Sequence, residues 1–415
     1  MGKEELMYDL FKAYFDARRN KRNTVNQLRF ELDYESHIIT LCNDILARNY
    51  IIEPSICFVV DKPVKREIFA ANFRDRVVHH LIYNYINPYF ESIFIDDSYS
   101  CRKDKGTLYG VKKVAEFIKE CSNNYTTDCY VLKLDIEGYF MNINRVLLLD
   151  LIRKHLNDFY TSVEDIPFDK ELLDYLIHCV LNDDPTINCT IKGCRSDWNG
   201  LPASKSLFSR ELNFGLPIGN LTSQLFSNVY LHGFDSYIKS ELEVQYYGRY
   251  VDDFVIVHRD LAYLKKIQIT LSNYLMKHLG LRIHPKKIFL QHYTKGVNFL
   301  GATIKPHRIY ISNRTKRNFK NTVLQWEKQL SGKHAPNSKH LFNLMAGINS
   351  YLGIMKHYRT YNIRKKILLS SNIPSIFQYG YLNVTPFRSM KYSLYKKNNS
   401  ITNNETNPFI TTHNI

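Results

Sequence analysis

Residues 243–258 read Glu-Val-Gln-Tyr-Tyr-Gly-Arg-Tyr-Val-Asp-Asp-Phe-Val-Ile-Val-His, with two adjacent acids between two apolar, β-branched and aromatic runs. This pattern predicts a strand, a tight turn and a second strand, with Asp252 and Asp253 where the chain reverses. Neighbouring like charges repel unless a cation lies between them, so the pair indicates a divalent metal site. Asp pairs are also common in ordinary turns, where their side chains bond the local backbone, so other motifs must decide between the two interpretations.

The composition is that of a folded chain large enough for two or three subdomains. Of the 415 residues, 44% are apolar and 13% are aromatic. No apolar run approaches the roughly 20 residues that a membrane span needs, and the N-terminus lacks the layout of a secretory signal. We therefore expect a cytoplasmic protein without membrane association. None of the eight cysteines forms a Cys-x-x-Cys pair, which favours reduced thiols over a zinc site.

The net charge of +16 is concentrated in the last quarter of the chain. Residues 313–398 contain 16 Lys and Arg but a single acid, Glu327. An excess this one-sided indicates a polyanionic partner, and nucleic acid is favoured over a membrane surface. Aromatic residues interleaved with these cations could contact sugars or bases.

Helical spacing of apolar residues recurs along the chain. It predicts two helices around a basic turn at 18–22 within residues 1–50, a helix from Asn72 that ends near Pro88, and a helical stretch over 313–369 with a break near 332–337. The Asn-rich tail from residue 391 is predicted to be disordered at its end.

A third acid, Asp135, ends the apolar strand predicted over residues 130–134. Nucleotidyl transfer by two metal ions needs carboxylates from separate elements that converge on one point, where the ions lie roughly 4 Å apart. Mg²⁺ prefers oxygen ligands and completes its shell with water and phosphate. Asp135 and the Asp252–Asp253 pair supply such a ligand set, whereas Glu137 is expected to point away. Taken alone, Asp135 would equally fit a helix cap.

A series of motifs in order gives residues 50–305 a specific resemblance to reverse transcriptases. The motifs are Lys-Arg-Glu-Ile-Phe at 65–69, Asp-Ile-Glu-Gly-Tyr-Phe at 135–140, Gly-Leu-Pro-Ile-Gly-Asn-Leu-Thr-Ser-Gln at 215–224, Tyr-Val-Asp-Asp at 250–253, His-Pro-Lys-Lys at 284–287 and Val-Asn-Phe-Leu-Gly at 297–301. Each motif is weak alone, but their order and spacing together are specific. The resemblance implies an α+β right-hand polymerase that carries out RNA-templated DNA synthesis.

The resemblance also implies a domain order. We expect an N-terminal helical extension over 1–50, fingers over 51–130, an antiparallel-sheet palm with finger-side insertions over 131–311, a basic helical thumb over 312–390 and a disordered tail over 391–415.

Within this class the chain resembles the reverse transcriptases of diversity-generating retroelements. The stretches that carry this resemblance are 97–107, 200–208 and 216–224, extended by 348–353 and 364–366. Bacterial defence-associated reverse transcriptases share parts of the same pattern.

The family motifs assign roles to matching residues of this chain. Metal binding is assigned to the side chains of Asp135, Asp252 and Asp253 and the backbone carbonyl of Ile136, as ligands of two Mg²⁺ ions, for which Mn²⁺ is an alternative. Nucleotide binding is assigned to Lys65, Arg66 and Arg74 at the triphosphate, Phe140 as the residue that excludes a 2′-hydroxyl, Gly219 under the base pair, Lys286 or Lys287 near the pyrophosphate, and Val297–Gly301 as the primer grip.

Two positions depart from the pattern of many reverse transcriptases. Ile218 stands where Gln precedes the motif glycine, and Gln224 stands where Pro follows the serine. In the retroelement family this change accompanies error-prone copying opposite adenine. Because Ile218 cannot hydrogen-bond a nucleotide as Gln could, the resemblance implies reduced discrimination at template adenines; otherwise Ile218 simply packs.

The implied partners are an RNA template, a DNA primer and product, dNTPs and, for the retroelement subgroup, a small basic helical accessory protein. Three alternatives remain open: an antiphage defence reverse transcriptase, an RNA-binding protein with an inactive palm, and an RNA-dependent RNA polymerase. The intact acids Asp135, Asp252 and Asp253 argue against an inactive palm, and Phe140 argues against the use of NTPs. The template, the primer and the oligomeric state are not identified by the sequence.

Overall fold

The computed structural model divides the chain into two compact units, one ending at Gln291 and the other beginning at His292. The described residues are 2–19, 24–61, 64–163, 166, 168–332, 336–369, 375–385 and 389–395. Each unit has its own hydrophobic core and combines helices with antiparallel strands, so the expected α+β class is confirmed.

The first unit contains ten of the helices described here. In chain order they are α1 (Lys3–Arg18), α2 (Val25–Glu31), α3 (Tyr34–Leu46), α4 (Phe73–Ile93), α5 (Thr107–Cys121), α6 (Tyr139–Asn142), α7 (Arg145–Ser162), α8 (Lys170–Asn182), α9 (Leu221–Ser236) and α10 (Leu261–Tyr274). Its strands are β1 (Ile56–Val60), β2 (Arg66–Ala70), β3 (Tyr130–Asp135), β4 (Thr190–Ile191), β5 (Tyr247–Tyr250), β6 (Asp253–His258) and β7 (Phe289–His292).

Two helix predictions in this unit need correction. The second N-terminal helix is divided into α2 and α3, and residues 20–22 of the basic turn predicted at 18–22 lie outside the described residues. Helix α4 does not end at Pro88 but continues to Ile93. Phe90, which follows the proline, is completely buried, so core packing offsets the hydrogen bond that Pro88 cannot donate.

A four-stranded sheet in the order β5-β6-β3-β7 lies at the centre of the first unit. Strand β6 runs antiparallel to both β5 and β3, so the strand–turn–strand predicted around residues 252 and 253 is confirmed. Residues Val131, Leu132 and Leu134 of β3 are completely buried, which explains its nearly continuous apolar run. This sheet brings the end of β3 beside the start of β6.

A second sheet holds the predicted fingers strands together. Strands β1 and β2 form an antiparallel pair, and the short β4 joins β1 in parallel. Residues 190–191 therefore return to a strand more than a hundred residues earlier in the chain, a pairing that the sequence pattern does not reveal.

The second unit begins with an antiparallel sheet and continues with helices. Its further strands are β8 (Val297–Phe299), β9 (Ala302–Lys305), β10 (Arg308–Ile311), β11 (Gly380–Val384) and β12 (Met390–Leu394), and its helices are α11 (Asn313–Leu330), α12 (Ser338–Met355), α13 (Tyr361–Leu368) and α14 (Ile376–Tyr379). The helices predicted over 313–369 are confirmed, with residues 333–335 of the predicted break outside the described chain.

The C-terminal prediction needs one correction. Residues 391–394, expected to begin a disordered tail, belong to β12, which pairs antiparallel with β11. Tyr392 is completely buried, so packing against the core of the second unit stabilises this hairpin. Residues 396–415 lie outside the described residues.

All eight cysteines are free thiols. Throughout the described parts of the chain, no helix combines the length and the apolar character that crossing a membrane requires.

Candidate active site

The three predicted acids meet where β3 ends and β6 begins. Asp135 is the register partner of Asp253, so their β-carbons are expected to lie within about 5.5 Å of each other. Asp252 occupies the turn immediately before β6, and its carbonyl oxygen accepts a hydrogen bond from the amide of Ile136 at 3.1 Å. Sheet pairing thus joins carboxylates that are more than a hundred residues apart in sequence.

The electrostatics of this cluster favour a bound cation. Burial, reinforced by the nearby Asp135 carboxylate, raises the pKa of Asp252 to about 6. Burial also raises the pKa of Asp253, although the Lys133 ammonium opposes the shift. Carboxylates that are costly to ionise side by side become favourable once positive charge lies between them.

Two lysines supply positive charge to the cluster. The Lys287 ammonium lies 2.7 and 2.8 Å from the two carboxylate oxygens of Asp135. The Lys133 ammonium lies 3.4 Å from Oδ1 of Asp253. Of the two predicted alternatives near the pyrophosphate, the structure therefore brings Lys287 to the acids, while Lys286 is exposed beside it.

Lys133 is a site residue that the sequence interpretation missed. Side chains two residues apart in a strand point to the same face, so Lys133 had to share the face of Asp135 once β3 was assigned. That alternation was the signal available in the sequence.

The donor chemistry of the site fits Mg²⁺. Three carboxylates and the carbonyl of Ile136 are oxygen donors, and Oδ1 of Asp253 is buried with no hydrogen bond, its charge met only by the ion pair with Lys133 at 3.4 Å. Among the described residues, no three acid, His or Cys side chains converge as a complete metal-binding cluster. Lys133 and Lys287 help to explain why the carboxylates do not converge more closely, because each lysine draws one carboxylate towards its own ammonium.

The start of α9 is joined to β2 by hydrogen bonds around the predicted nucleotide motif. The amide of Phe69 donates to the carbonyl of Ile218 at 2.9 Å, and the amide of Ala71 donates to Oδ1 of Asn220 at 3.1 Å. Between them, Gly219 has φ +134°, and a β-carbon there would lie 2.8 Å from the carbonyl oxygen of Phe69. Only glycine allows this close approach without a shift of the backbone.

Phe140 and Ile218 lie in one apolar cluster. Both are partly buried and pack against the buried residues Cys57, Phe69, Met141 and Leu207. Gln224 is exposed on the first turns of α9, where its neighbours are mostly buried. The structure therefore brings Phe140 and Ile218 together and leaves Gln224 accessible.

The predicted triphosphate cations occupy different surroundings. Arg66 is close enough to Tyr250, just before the acids, to oppose the burial that raises the pKa of that tyrosine. Lys65 donates to the carbonyl of Asn199 at 2.7 Å. Arg74 pairs with Asp44 at 2.7 Å, so its present contacts direct it to α3 and not to the acids. Its role at the triphosphate stays a prediction that these contacts do not support.

The stretch at 200–208 is anchored to β2 by Glu67, which is completely buried. The Glu67 carboxylate accepts hydrogen bonds from Nε1 of Trp198 at 2.6 Å, Oγ of Ser206 at 2.8 Å and the amide of Leu207 at 2.6 Å. The segment that carries part of the subgroup resemblance is thus fixed against β2.

Val297–Gly301 belongs to the second unit, where it forms β8 and the turn into β9. Its role as the primer grip stays a prediction.

Comparison with known proteins identifies the class. The family model described as "Reverse transcriptase (RNA-dependent DNA polymerase)" matches residues 62–304, more than half of the chain. The chain belongs to the reverse transcriptase family, the class of RNA-directed DNA polymerases.

Individual relatives are distant. Protein YkfC of Escherichia coli (strain K12) is 24% identical over 313 residues, which are 65% of this chain and 73% of that protein. The apo telomerase of Candida tropicalis truncated from its C-terminal domain is similar with a TM-score of 0.44 and 12% identity over 63% of this chain. Telomerase of Candida albicans in complex with a TWJ fragment of telomeric RNA is similar with a TM-score of 0.43 and 11% identity over 80% of this chain. The chain spans 56% and 66% of those two telomerases, less than two thirds of each.

Proposed function

We propose that this protein copies RNA into DNA, and that Asp135, Ile136, Asp252 and Asp253 hold two divalent cations through three carboxylates and one carbonyl. The observation that carries the proposal is the register that sets Asp135 opposite Asp253, with Asp252 in the adjoining turn. Membership of the reverse transcriptase family supports it, since that chemistry uses a pair of Mg²⁺ ions. Mn²⁺ is an alternative because it accepts the same oxygen ligands.

The chain's own residues give this chemistry its geometry. When bound, the cations lower the pKa of the primer 3′-hydroxyl and hold the triphosphate. The β3–β6 ladder keeps Asp135 and Asp253 at a constant separation, and Lys133 orients the Asp253 carboxylate through their ion pair. Lys287 would move from Asp135 towards the leaving pyrophosphate, where an ammonium neutralises developing negative charge.

The nucleotide would lie beside Phe140 and Ile218. Because these two side chains share one apolar cluster, a deoxyribose against Phe140 would bring its base pair towards Gly219 and Ile218. Phe140 would exclude a 2′-hydroxyl, so dNTPs are the proposed substrates. Arg66 is our first choice for the triphosphate.

The other predicted nucleotide ligands have secondary roles in the proposal. Lys65 and Arg74 would first have to leave Asn199 and Asp44 to reach the triphosphate. Gln224 is accessible to the nucleic acid from α9.

The second unit is proposed to bind the RNA template and DNA strand through phosphates. Helix α11 buries Phe319 and Val323 and exposes Arg317, Lys320 and Lys328. An apolar inner face with a cationic outer face supports contacts to the backbone, which carry shape and charge recognition but little sequence recognition.

The finer proposal is an error-prone enzyme of a diversity-generating retroelement. Ile218 supports it, because a β-branched apolar side chain offers the nucleotide no hydrogen bond that would reward a correct pair opposite adenine. The template would be a dedicated element RNA, and a small basic helical protein would be an accessory partner.

Primer extension with an RNA template, dNTPs and Mg²⁺ tests the proposal. Asp252→Asn should abolish synthesis while RNA binding persists, because the amide keeps the shape of the carboxylate but not its charge. Wild-type synthesis by the variant would refute the assignment of Asp252. Sequencing of the RNA that copurifies with the protein would identify the template, and the ratio of errors at adenine to errors at other template bases would test the retroelement role.

A further inference from the structure

The turn that carries the acids contains a strained residue. Val251 has φ +56°, in the left-handed region that β-branched residues rarely adopt. It immediately precedes Asp252, whose carbonyl is bonded to Ile136. The conformation of Val251 therefore sets the direction in which the carboxylates of Asp252 and Asp253 leave the turn. Such strain persists only where the surroundings hold it.

The side chain of Arg249 stabilises this turn. Its side chain is completely buried, and Nη1 donates to the carbonyl oxygen of Val251 at 3.0 Å. Its backbone is bonded on both sides, because its amide donates to the carbonyl of Asp97 and its carbonyl accepts from the amide of Tyr99, both at 2.9 Å. The backbone of Arg249 is thus fixed by two hydrogen bonds, and its side chain bonds directly to the strained Val251.

Asp235, from the last turn of α9, fixes the guanidinium of Arg249. Nε donates to Oδ1 at 2.8 Å and Nη2 donates to Oδ2 at 2.6 Å, a two-bond contact that sets the plane of the group. The hydroxyl of Tyr247 also donates to Oδ1 of Asp235 at 2.6 Å, and Nη2 lies 3.3 Å from Oγ of Ser98. The guanidinium that bonds Val251 is therefore fixed by Asp235 on α9 and by Ser98, and Asp235 is itself held by Tyr247.

We propose that Arg249 is a positioning residue for DNA synthesis, anchored by Asp235, which keeps the Val251 turn in the conformation that directs the carboxylates of Asp252 and Asp253 towards Asp135. The inference rests on the proposed function, because it assumes that these carboxylates hold the cations. Stability alone explains the pair poorly, since apolar residues of similar size are often as stabilising as a buried ion pair.

Arg249→Lys is the variant that separates positioning from charge. Lysine can still pair with Asp235, but a single ammonium cannot bond Asp235 and the Val251 carbonyl in the same fork geometry. We expect kcat to fall about tenfold or more, since small misplacements of reacting groups are costly. The Mg²⁺ concentration for half-maximal rate should rise, while the KM for dNTP and the Kd for an RNA–DNA duplex stay close to wild type.

Arg145→Lys is the matched control. Arg145 is also buried and also donates to backbone carbonyls, those of Leu181 and Asp183, but these lie at the end of α8. Both variants should lower the melting temperature, and rates are normalised to the concentration of active sites. If Arg249→Lys changes only stability, or if Arg145→Lys shifts kcat and the Mg²⁺ requirement equally, the inference is overturned.

Val251→Gly tests whether Arg249 acts on kcat through the conformation of the Val251 turn. Glycine adopts positive φ without strain, so the turn should depend less on Arg249 in this background. The loss of kcat on Arg249→Lys should therefore be smaller beside Val251→Gly than in the wild-type chain. An equal loss in both backgrounds would contradict a role in holding the turn.

Two further variants keep the result decisive. If Arg249→Lys does not fold, Asp235→Asn replaces it, because the amide retains one hydrogen bond to the guanidinium but loses the ion pair. The same rise in the Mg²⁺ requirement is expected for Asp235→Asn. Absence of that rise would refute the inference. Asp252→Asn reports on the proposed function independently, since unimpaired synthesis by that variant would remove the basis of both proposals, whereas a dead Asp252→Asn with a normal Arg249→Lys would refute only the positioning role.

Discussion

The Lys287 ammonium bonds both carboxylate oxygens of Asp135, so it competes directly with any cation that uses the same ligand. Positive charges repel at such short range, and the long, flexible lysine side chain, which is half exposed, is the more mobile of the two. In the proposed mechanism, a lysine released from Asp135 would bind the leaving pyrophosphate. On this proposal, Lys287 would neutralise the charge of the acids before substrate binds and the charge of the phosphates afterwards.

The proposed transfer of Lys287 from Asp135 to the pyrophosphate predicts that Lys287 and its neighbour Lys286 affect the rate of nucleotide incorporation differently. Lys287→Ala should lower the rate of nucleotide incorporation about 100- to 1,000-fold, as removal of a single group that stabilises developing negative charge usually does. Lys286→Ala, its exposed neighbour, should cost far less. Single-turnover incorporation at saturating dNTP measures both rates, and equal losses would contradict the assignment of Lys287.

Ile218 predicts a change in fidelity without a large change in rate. Ile218→Gln adds an amide that can hydrogen-bond the nucleotide, so errors at template adenines should decrease by at least severalfold. Ile218→Val is the control, because it alters volume slightly but adds no polar group. Sequencing of the cDNA from a defined RNA template measures the error spectrum. If Ile218→Gln lowers errors equally at all template bases, Ile218 does not act at adenine.

Among the elements, the junction of β2 and α9 depends on Gly219. Gly219→Ala would place a β-carbon 2.8 Å from the carbonyl of Phe69, where backbone and not a flexible side chain must move. We expect a higher KM for dNTP and a loss of stability of about 1–3 kcal/mol, the usual range for forcing a strained backbone conformation.

Gly280→Ala is the control for that substitution, because Gly280 also has a positive φ, +66°, but has nothing within 4 Å of the added carbon. It should lower stability modestly and leave the KM for dNTP unchanged. Thermal unfolding and steady-state kinetics of both variants separate the two effects. If Gly280→Ala raises the KM equally, the close approach at Gly219 is not what matters.

For the β3–β6 pair, the strands could be predicted from the sequence, but the partners of some of their side chains could not. Alternating and apolar runs predicted both strands, and the two acidic ends followed from them. Lys133 was missed although its spacing from Asp135 places both on one face, and Arg249 was missed because its partner Asp235 lies on α9. Local spacing determines which face a side chain takes, but the partner across the core is known only after the chain has folded.

Over the whole molecule, the order of motifs predicted the α+β class and the family because it depends only on the sequence. Contacts between distant segments were less accessible: β4 pairs with β1, and the β11–β12 hairpin packs in the second unit, where the tail was expected to lose order. Arg74 was assigned by its position in a motif, yet Asp44 on α3 is its partner. A motif specifies residue types, whereas competing partners from other parts of the chain determine where each side chain points.

The stability of the folded enzyme should depend on pH through two groups on α4 that act in opposite directions. Burial lowers the pKa of His79 to about 3, so the unfolded chain binds the proton more readily, and the stability present above about pH 6.5 is lost as the pH falls below it. Burial raises the pKa of Asp75 to about 7, against the hydrogen bond from Tyr50, so its contribution is present at low pH and is lost as the pH rises towards 7.

Single substitutions should separate these contributions. His79→Gln removes the histidine titration, so the variant should lose about 2 kcal/mol less than the wild type between pH 7 and pH 5. Asp75→Asn removes the opposing titration, so it should lose more over the same interval. Urea unfolding at the two pH values measures both differences. If His79→Gln and the wild type lose the same free energy of unfolding between pH 7 and pH 5, His79 is not a neutral buried group in the folded enzyme. The contact of His79 with Thr222, which joins α4 to α9, would then not depend on the protonation of His79.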